Sequence, residues 1–123
     1  MNFTDQEWRF VMLQLKDGAL GGFVQEIAER KLQLRDAALY LALMAHTDTY
    51  SGRIYVTADQ IAEDLNCTPS EARAGIGRLK RVHQLRLIVE PGTGRRYYLL
   101  NPWVVQSGKP PAIGLAMKQF QEA

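Results

Sequence analysis

Two threonine-led caps, eleven residues apart, constrain this chain more than any other feature. Thr57-Ala58-Asp59-Gln60 and Thr68-Pro69-Ser70-Glu71 each put Thr at a helix cap and Gln or Glu three residues later. In that arrangement each side chain accepts from the other residue's backbone N–H. Pro69 adds a further signal, because its missing N–H costs nothing at the first helical position. Ala58, Ile61, Ala62 and Leu65 then lie on one face of a two-turn helix. Asn66-Cys67 breaks it, since Asn tolerates the left-handed geometry that ends helices. The longer helix after Thr68 carries Ala72, Ile76, Leu79 and His83 as its inner stripe, with Gly75 and Val82 beside them. Gly75 faces inward, which implies close crossing of the preceding helix 57–65.

The flanks are readable too. Leu34 to His46 is a helix that is apolar nearly all round, so it is buried on several sides or shared with a second subunit. Residues 47–52 form a polar loop and Arg53-Ile54-Tyr55-Val56 a short strand. Leu85–Glu90 and Arg95–Leu100 read as two strands joined by Pro91-Gly92-Thr93-Gly94, and Asn101-Pro102 stops the second. A polar Pro/Gly stretch, 106–111, precedes an amphipathic helix marked by Ile113, Ala116, Met117 and Phe120. Residues 4–27 fit two readings. One is a helix opened by the box Thr4–Glu7 and followed by a loop. The other is a β-hairpin turning at Asp17–Gly22 and returning through Phe23–Ile27. The helix is the preferred reading.

Strand, short capped helix, tight turn, longer capped helix, hairpin: this order is that of a winged helix-turn-helix, an α+β fold that is mainly α with a small β-hairpin. Residues 57–83 resemble the helix-turn-helix of bacterial regulators, and 85–100 look like the wing. The chain divides into an N-terminal extension (1–33), the winged helix-turn-helix (34–108) and a C-terminal helix (109–123). Tyr97-Tyr98-Leu99-Leu100-Asn101-Pro102, followed by Gly108, resembles the closure of RepL-type plasmid replication initiators. Gly22-Phe23-Val24-Gln25-Glu26-Ile27 is similar to the Phe-led segment ahead of the winged helix in that family. The resemblance spans roughly 22–108, with no counterpart for residues 1–20, and implies binding to a replication origin.

Charge points the same way. The whole chain is only +2, but residues 68–96 hold seven basic and two acidic residues, a local +5 on a remainder of −3. A polyanion contact needs such a patch, and a solvated helix face can also look like this. On a helix from 69 to 83, Ser70, Ala74, Gly77 and Arg81 lie opposite the inner stripe, with Arg73 and Arg78 on the flanks. Small residues let the backbone sink toward a major-groove floor, and flanking arginines reach base edges or phosphates. Thr68 and the free N–H groups of the first helical turn after Pro69 suit a phosphate, whereas Glu71 opposes one unless its cap is engaged. Gly77 has a functional reading, close DNA approach, and a plain one, a tolerated surface glycine. At the hairpin tip Thr93, Arg95 and Arg96 offer phosphate contacts, with one arginine on each face. The partner implied is double-stranded DNA. A homodimer is expected from the apolar surface of 34–46, the N-terminal segment and 113–120, and a protein-interaction module is the alternative.

Other chemistries lack their residues. A chain of 123 residues, 46% hydrophobic, makes one domain. Its longest apolar run, Ala37–Ala45, is far short of the roughly 18 residues of a membrane span. The start has no basic leader region, and the one cysteine, Cys67, forms no intrachain disulfide, so a cytoplasmic setting is expected. His46, His83 and Cys67 lack ligand-pair spacing, there is no phosphate loop, and no Ser/His/Asp set stands out. Neither an enzyme nor a cofactor is expected. His46 and His83 read as helix-end residues and Cys67 as a small turn residue.

Overall fold

The computed structural model describes residues 14–15, 19–106 and 110–122. Its elements in chain order are β1 (Gln14–Leu15), α1 (Ala19–Ala28), α2 (Leu34–Ala45), α3 (Ala58–Leu65), α4 (Pro69–Arg81), β2 (Leu85–Val89), β3 (Arg96–Leu100), β4 (Val105–Gln106) and α5 (Pro110–Glu122). Among the described residues this is a small α+β fold: five helices, the antiparallel hairpin β2–β3, and a two-residue pairing of β1 with β4. None of these helices is long and apolar enough to cross a membrane.

Both caps on α3 and α4 are reciprocal. Thr57 Oγ1 accepts from the Gln60 N–H at 3.2 Å, and Gln60 Oε1 from the Thr57 N–H at 2.9 Å. Thr68 and Glu71 repeat this, both bonds at 3.1 Å. Asn66 ends α3 in the left-handed region, with φ 52°. The end of α4 departs from expectation. His83 also takes positive φ, 61°, so that the Gln84 N–H can reach the Leu79 carbonyl at 2.9 Å. That closure turns His83 out to solvent, and the inner stripe stops at Leu79.

Helices α2, α3 and α4 bury Leu39, Leu43, Ile61, Ala62, Ile76 and Leu79 against one another. It is α2, not α3, that crosses α4 at Gly75. A Cβ there would stand 2.6 Å from Leu39 Cδ2 and 3.0 Å from Asp36 Oδ1. The outer face of α2 holds Leu34, Ala38, Leu41 and Ala45, all exposed.

The hairpin is packed on both faces. Leu85 and Leu100 join the helical core, while Ile88, Tyr97 and Leu99 pack under Phe120 of α5. The strand expected at 53–56 shrinks to one bridge, in which Ile54 and Tyr98 exchange backbone bonds of 3.0 and 2.8 Å. Thr57 must cap α3 three residues later, which leaves no length for more. Asn101 joins α4's exit to the hairpin's end: its Nδ2 donates to the His83 carbonyl at 2.9 Å, and its own N–H to the Gln84 carbonyl at 3.0 Å.

The N-terminal readings change. Phe23–Ile27 is helical, part of α1, because Phe23 packs on Tyr40 with ring centroids 4.9 Å apart. Gly21 and Gly22 lie inside that helix, not in a turn. Gln14–Leu15 is extended on Val105–Gln106, so the preferred helix does not reach these two residues. The box at Thr4–Glu7 and Gly108 lie outside the described residues.

The two helical glycines should separate in an unfolding experiment. Leu39 is buried and Asp36 is tied down, so Gly75→Ala overpacks the crossing and should cost about 1–3 kcal/mol. A Cβ at Gly77 meets nothing within 4 Å, so Gly77→Ala should gain up to about 1 kcal/mol in helix propensity. Equal urea midpoints for the two variants would mean α2 and α4 have room to spare.

Candidate functional site

The outward ridge of α4 follows from the same periodicity that buries its other side. At about 100° per residue, Ser70, Ala74, Gly77 and Arg81 share one direction, opposite Ala72, Ile76 and Leu79. Ser70, Ala74 and Arg81 are exposed, and Gly77 is half-buried with open space around its Cα. The middle of the ridge is therefore low and smooth. Arg81 stands at its C-terminal end, its side chain making no ion pair or hydrogen bond to any described residue.

One flank of this ridge is tied to α2. Arg78 is not free to reach outward: its Nε donates to Asp36 Oδ2 at 2.8 Å and its Nη2 to Asp36 Oδ1 at 3.0 Å. Asp36 is fully buried and also accepts from the Gln33 N–H at 2.7 Å. A buried carboxylate needs such partners, and Asp36 raises the guanidinium's pKa by binding its charged form. Arg78 was expected among the DNA contacts because helical periodicity puts it beside the ridge; the buried acid draws it inward. Glu71, on the same flank, pairs with Arg35. Its carboxyl is held below its ordinary pKa first by the Thr68 backbone N–H, then by Arg35 and the Thr68 hydroxyl. The cap is engaged and the charge is answered, so Glu71 opposes an approaching anion less than a bare carboxylate would. Thr68's hydroxyl is occupied in the same cap.

The other flank faces α3 and the hairpin. Arg73 is exposed and only loosely paired with Asp59, at 3.9 Å. Lys80, seven residues on, was not singled out from the sequence. Its ammonium lies 6.0 Å from the Tyr98 ring centroid, and the signal that finds it is its spacing from Arg73. Arg96 shares Tyr98's face of β3, so Lys80, Tyr98 and Arg96 form a row beside the ridge. Burial raises the Tyr98 pKa, and Arg96 partly opposes this. Arg95 points to the other face, its guanidinium 4.1 Å from the Tyr55 ring centroid. The hairpin arginines split as alternation requires. Residues 91–94 of the turn are exposed, Thr93 included, and Thr93 Oγ1 accepts from the Arg95 N–H at 3.2 Å.

A cleft of about 280 Å³ opens between α2 and the α3–α4 turn, lined by Asp36, Leu39, Leu65, Cys67 and Gly75 among others. Asp36 in its wall is already saturated by Arg78 and Gln33. Among the described residues no three His, Cys, Asp or Glu side chains come together to hold a metal. No protein-family model, curated protein or solved structure matches the chain.

Two outcomes follow for stability. Arg78→Ala strands a buried carboxylate and should cost about 3–5 kcal/mol in chemical denaturation, whereas Arg81→Ala should stay within about 0.5 kcal/mol. Comparable losses would place Arg78 in solvent. Glu71's folded pKa lies below its ordinary 4.5. Its contribution is therefore complete above the unfolded value and fades as pH falls through the folded one. The stability gap between the wild type and Glu71→Gln should be constant near neutrality and close in acid. A gap that persists unchanged to pH about 2 contradicts an ionised cap.

Proposed function

We propose that this chain is a winged helix-turn-helix protein that binds double-stranded DNA. In this reading α4 enters the major groove and the β2–β3 hairpin, as the wing, lies on the sugar-phosphate backbone. The observation that supports it best is the α4 ridge: small residues along its middle, an Arg81 side chain at its end without a partner among the described residues, and no described residue of the same protomer covering it. A helix must sink close to the groove floor to be read, and bulky ridge residues would hold it off.

The contact set is Ser70, Ala74 and Gly77 on the ridge, with Arg73, Lys80, Arg81 and Arg96 as the cations. Arg81 is the base reader, because its planar fork matches guanine O6 and N7 together, a contact worth about 1–3 kcal/mol of discrimination. Arg73, Lys80 and Arg96 stand toward the hairpin side and suit phosphates. Arg95 joins them only by leaving the Tyr55 ring. Thr68 contributes its helix end, not its hydroxyl. Arg78 contributes indirectly, by holding α4 on α2. The RepL-like Asn101-Pro102 closure favours a replication origin as the target; a promoter is the other natural site for such a reader.

Gel-shift titrations test this directly. Arg81→Ala should weaken the preferred duplex by about 10- to 100-fold and leave random duplex nearly unchanged. Arg96→Ala should weaken both alike and lower the log–log salt slope by about one. Equal losses for Arg81→Ala on both duplexes would reduce Arg81 to a phosphate contact. No duplex binding at low salt would turn the reading to a protein-interaction module that presents the same basic face to an acidic partner.

A further inference from the structure

Apart from Arg35, which turns to Glu71 of α4, helix α2 shows no polar side chain to solvent. Its inner face packs in the core and its outer face is bare: Leu34 is 79% and Leu41 65% exposed, with Ala38 and Ala45 exposed between and beyond them. On a helical wheel these four residues share one direction, opposite Asp36, Leu39 and Leu43, and none is polar. A soluble protein gains nothing by offering water a row of leucines where charged residues would serve.

We infer that this face pairs with the same face of a second copy, α2 running antiparallel to α2 about a two-fold axis between Leu39 and Tyr40. The order of the residues argues for that occupant. Large and small alternate along the stripe: Leu34, Ala38, Leu41, Ala45. An antiparallel pair centred between 39 and 40 sets Leu34 against the partner's Ala45, and Ala38 against the partner's Leu41. Every leucine then meets an alanine, and every contact occurs twice, as a two-fold interface requires. Parallel pairing would instead put leucine on leucine and alanine on alanine at each level. Alanines also let helix axes approach toward the short end of the roughly 8–10 Å range.

Charge agrees with this direction. Arg30, just before α2, has no carboxylate partner among the described residues, and Asp48, just after it, has no cation. Among the described residues the Asp48 carboxylate accepts only from the Tyr50 N–H and the Ser51 hydroxyl. Antiparallel pairing carries Arg30 to the end where the partner's Asp48 lies, twice over. It also sets the two helix dipoles head to tail. Nothing in this pairing uses the α4 ridge, so it stands or falls apart from DNA binding.

The test is made on the full chain. A contact built on one 12-residue helix is at the small end of specific interfaces, so sedimentation should span about 1–500 µM protein. A monomer–dimer equilibrium is expected within that range. Leu41→Glu, which changes no core contact, should remain monomeric throughout, with the thermal midpoint that the wild type has when dilute enough to be monomeric. Direction is read by disulfide trapping in a Cys67→Ser background. An equimolar mixture of Leu34→Cys and Ala45→Cys chains should cross-link between the two kinds. Leu34→Cys alone should not cross-link, since its two copies stand about 16 Å apart along the helices. A chain that stays monomeric at every concentration overturns the inference, including the case in which its own first residues cover α2. So does self-linking of Leu34→Cys as fast as mixed linking, which would mean a parallel pair.

Discussion

The fold turns on one ion pair. Asp36 is completely buried, and its two oxygens are shared among Arg78 Nε, Arg78 Nη2 and the Gln33 backbone N–H. Two parallel N–H···O bonds are directional as well as attractive, so they set the rotation of α4 against α2 where apolar contacts alone would let it slide. The pair needs the helices close, and Gly75 supplies the clearance. The same bond decides which residues of α4 are available outside: Arg78 is withdrawn, and Arg81, three residues on, is left as the ridge's cation. Because α2 carries this bond on one side and its bare leucines on the other, whatever sits on α2 is positioned rigidly with respect to α4.

The hairpin is held as firmly, by different means. Leu85 and Leu100 are buried in the helical core, and Ile88, Tyr97 and Leu99 lie under α5. A two-stranded ribbon has little stability of its own; here both faces are packed at the base, and the strands stay paired as far as Val89 and Arg96, next to the exposed turn. Arg53 contributes to this without facing any partner outside the protomer. Its guanidinium lies 4.5 Å from the Tyr97 ring centroid and 3.4 Å from Glu90 Oε2, which pins the loop before α3 to the base of the turn. The tip therefore presents its arginines from a stiff support, and the row Lys80, Tyr98, Arg96 stays in register with the α4 ridge.

What could be read in the sequence was local. The two reciprocal caps, the left-handed Asn66, the turn at 91–94 and the amphipathic α5 each depend on neighbours within a few residues, and they stand where spacing put them. The ridge of α4 was legible for the same reason. The features that were not legible depend on distant partners. Arg78 lies beside the ridge by periodicity, and only a carboxylate 42 positions earlier turns it inward. Gly75 was plainly a crossing point, yet nothing in the sequence said that α2, rather than α3, would cross there. Phe23–Ile27 alternates enough to pass for a strand until Tyr40 offers Phe23 a ring. His83 looked like the last member of an apolar stripe, and the backbone closure at Leu79 removed it.

Asn101 fastens α4's exit to the hairpin with one side chain and one backbone group, and it is followed by Pro102. Asparagine ordinarily ages when the next residue's amide nitrogen attacks its side-chain carbonyl, closing a succinimide and releasing ammonia. Proline has no N–H to give up, so that cyclisation is blocked here. Asn66, followed by Cys67 in the turn between α3 and α4, has no such protection. Chemical wear of this kind in a long-lived molecule would thus leave the hairpin's anchor whole.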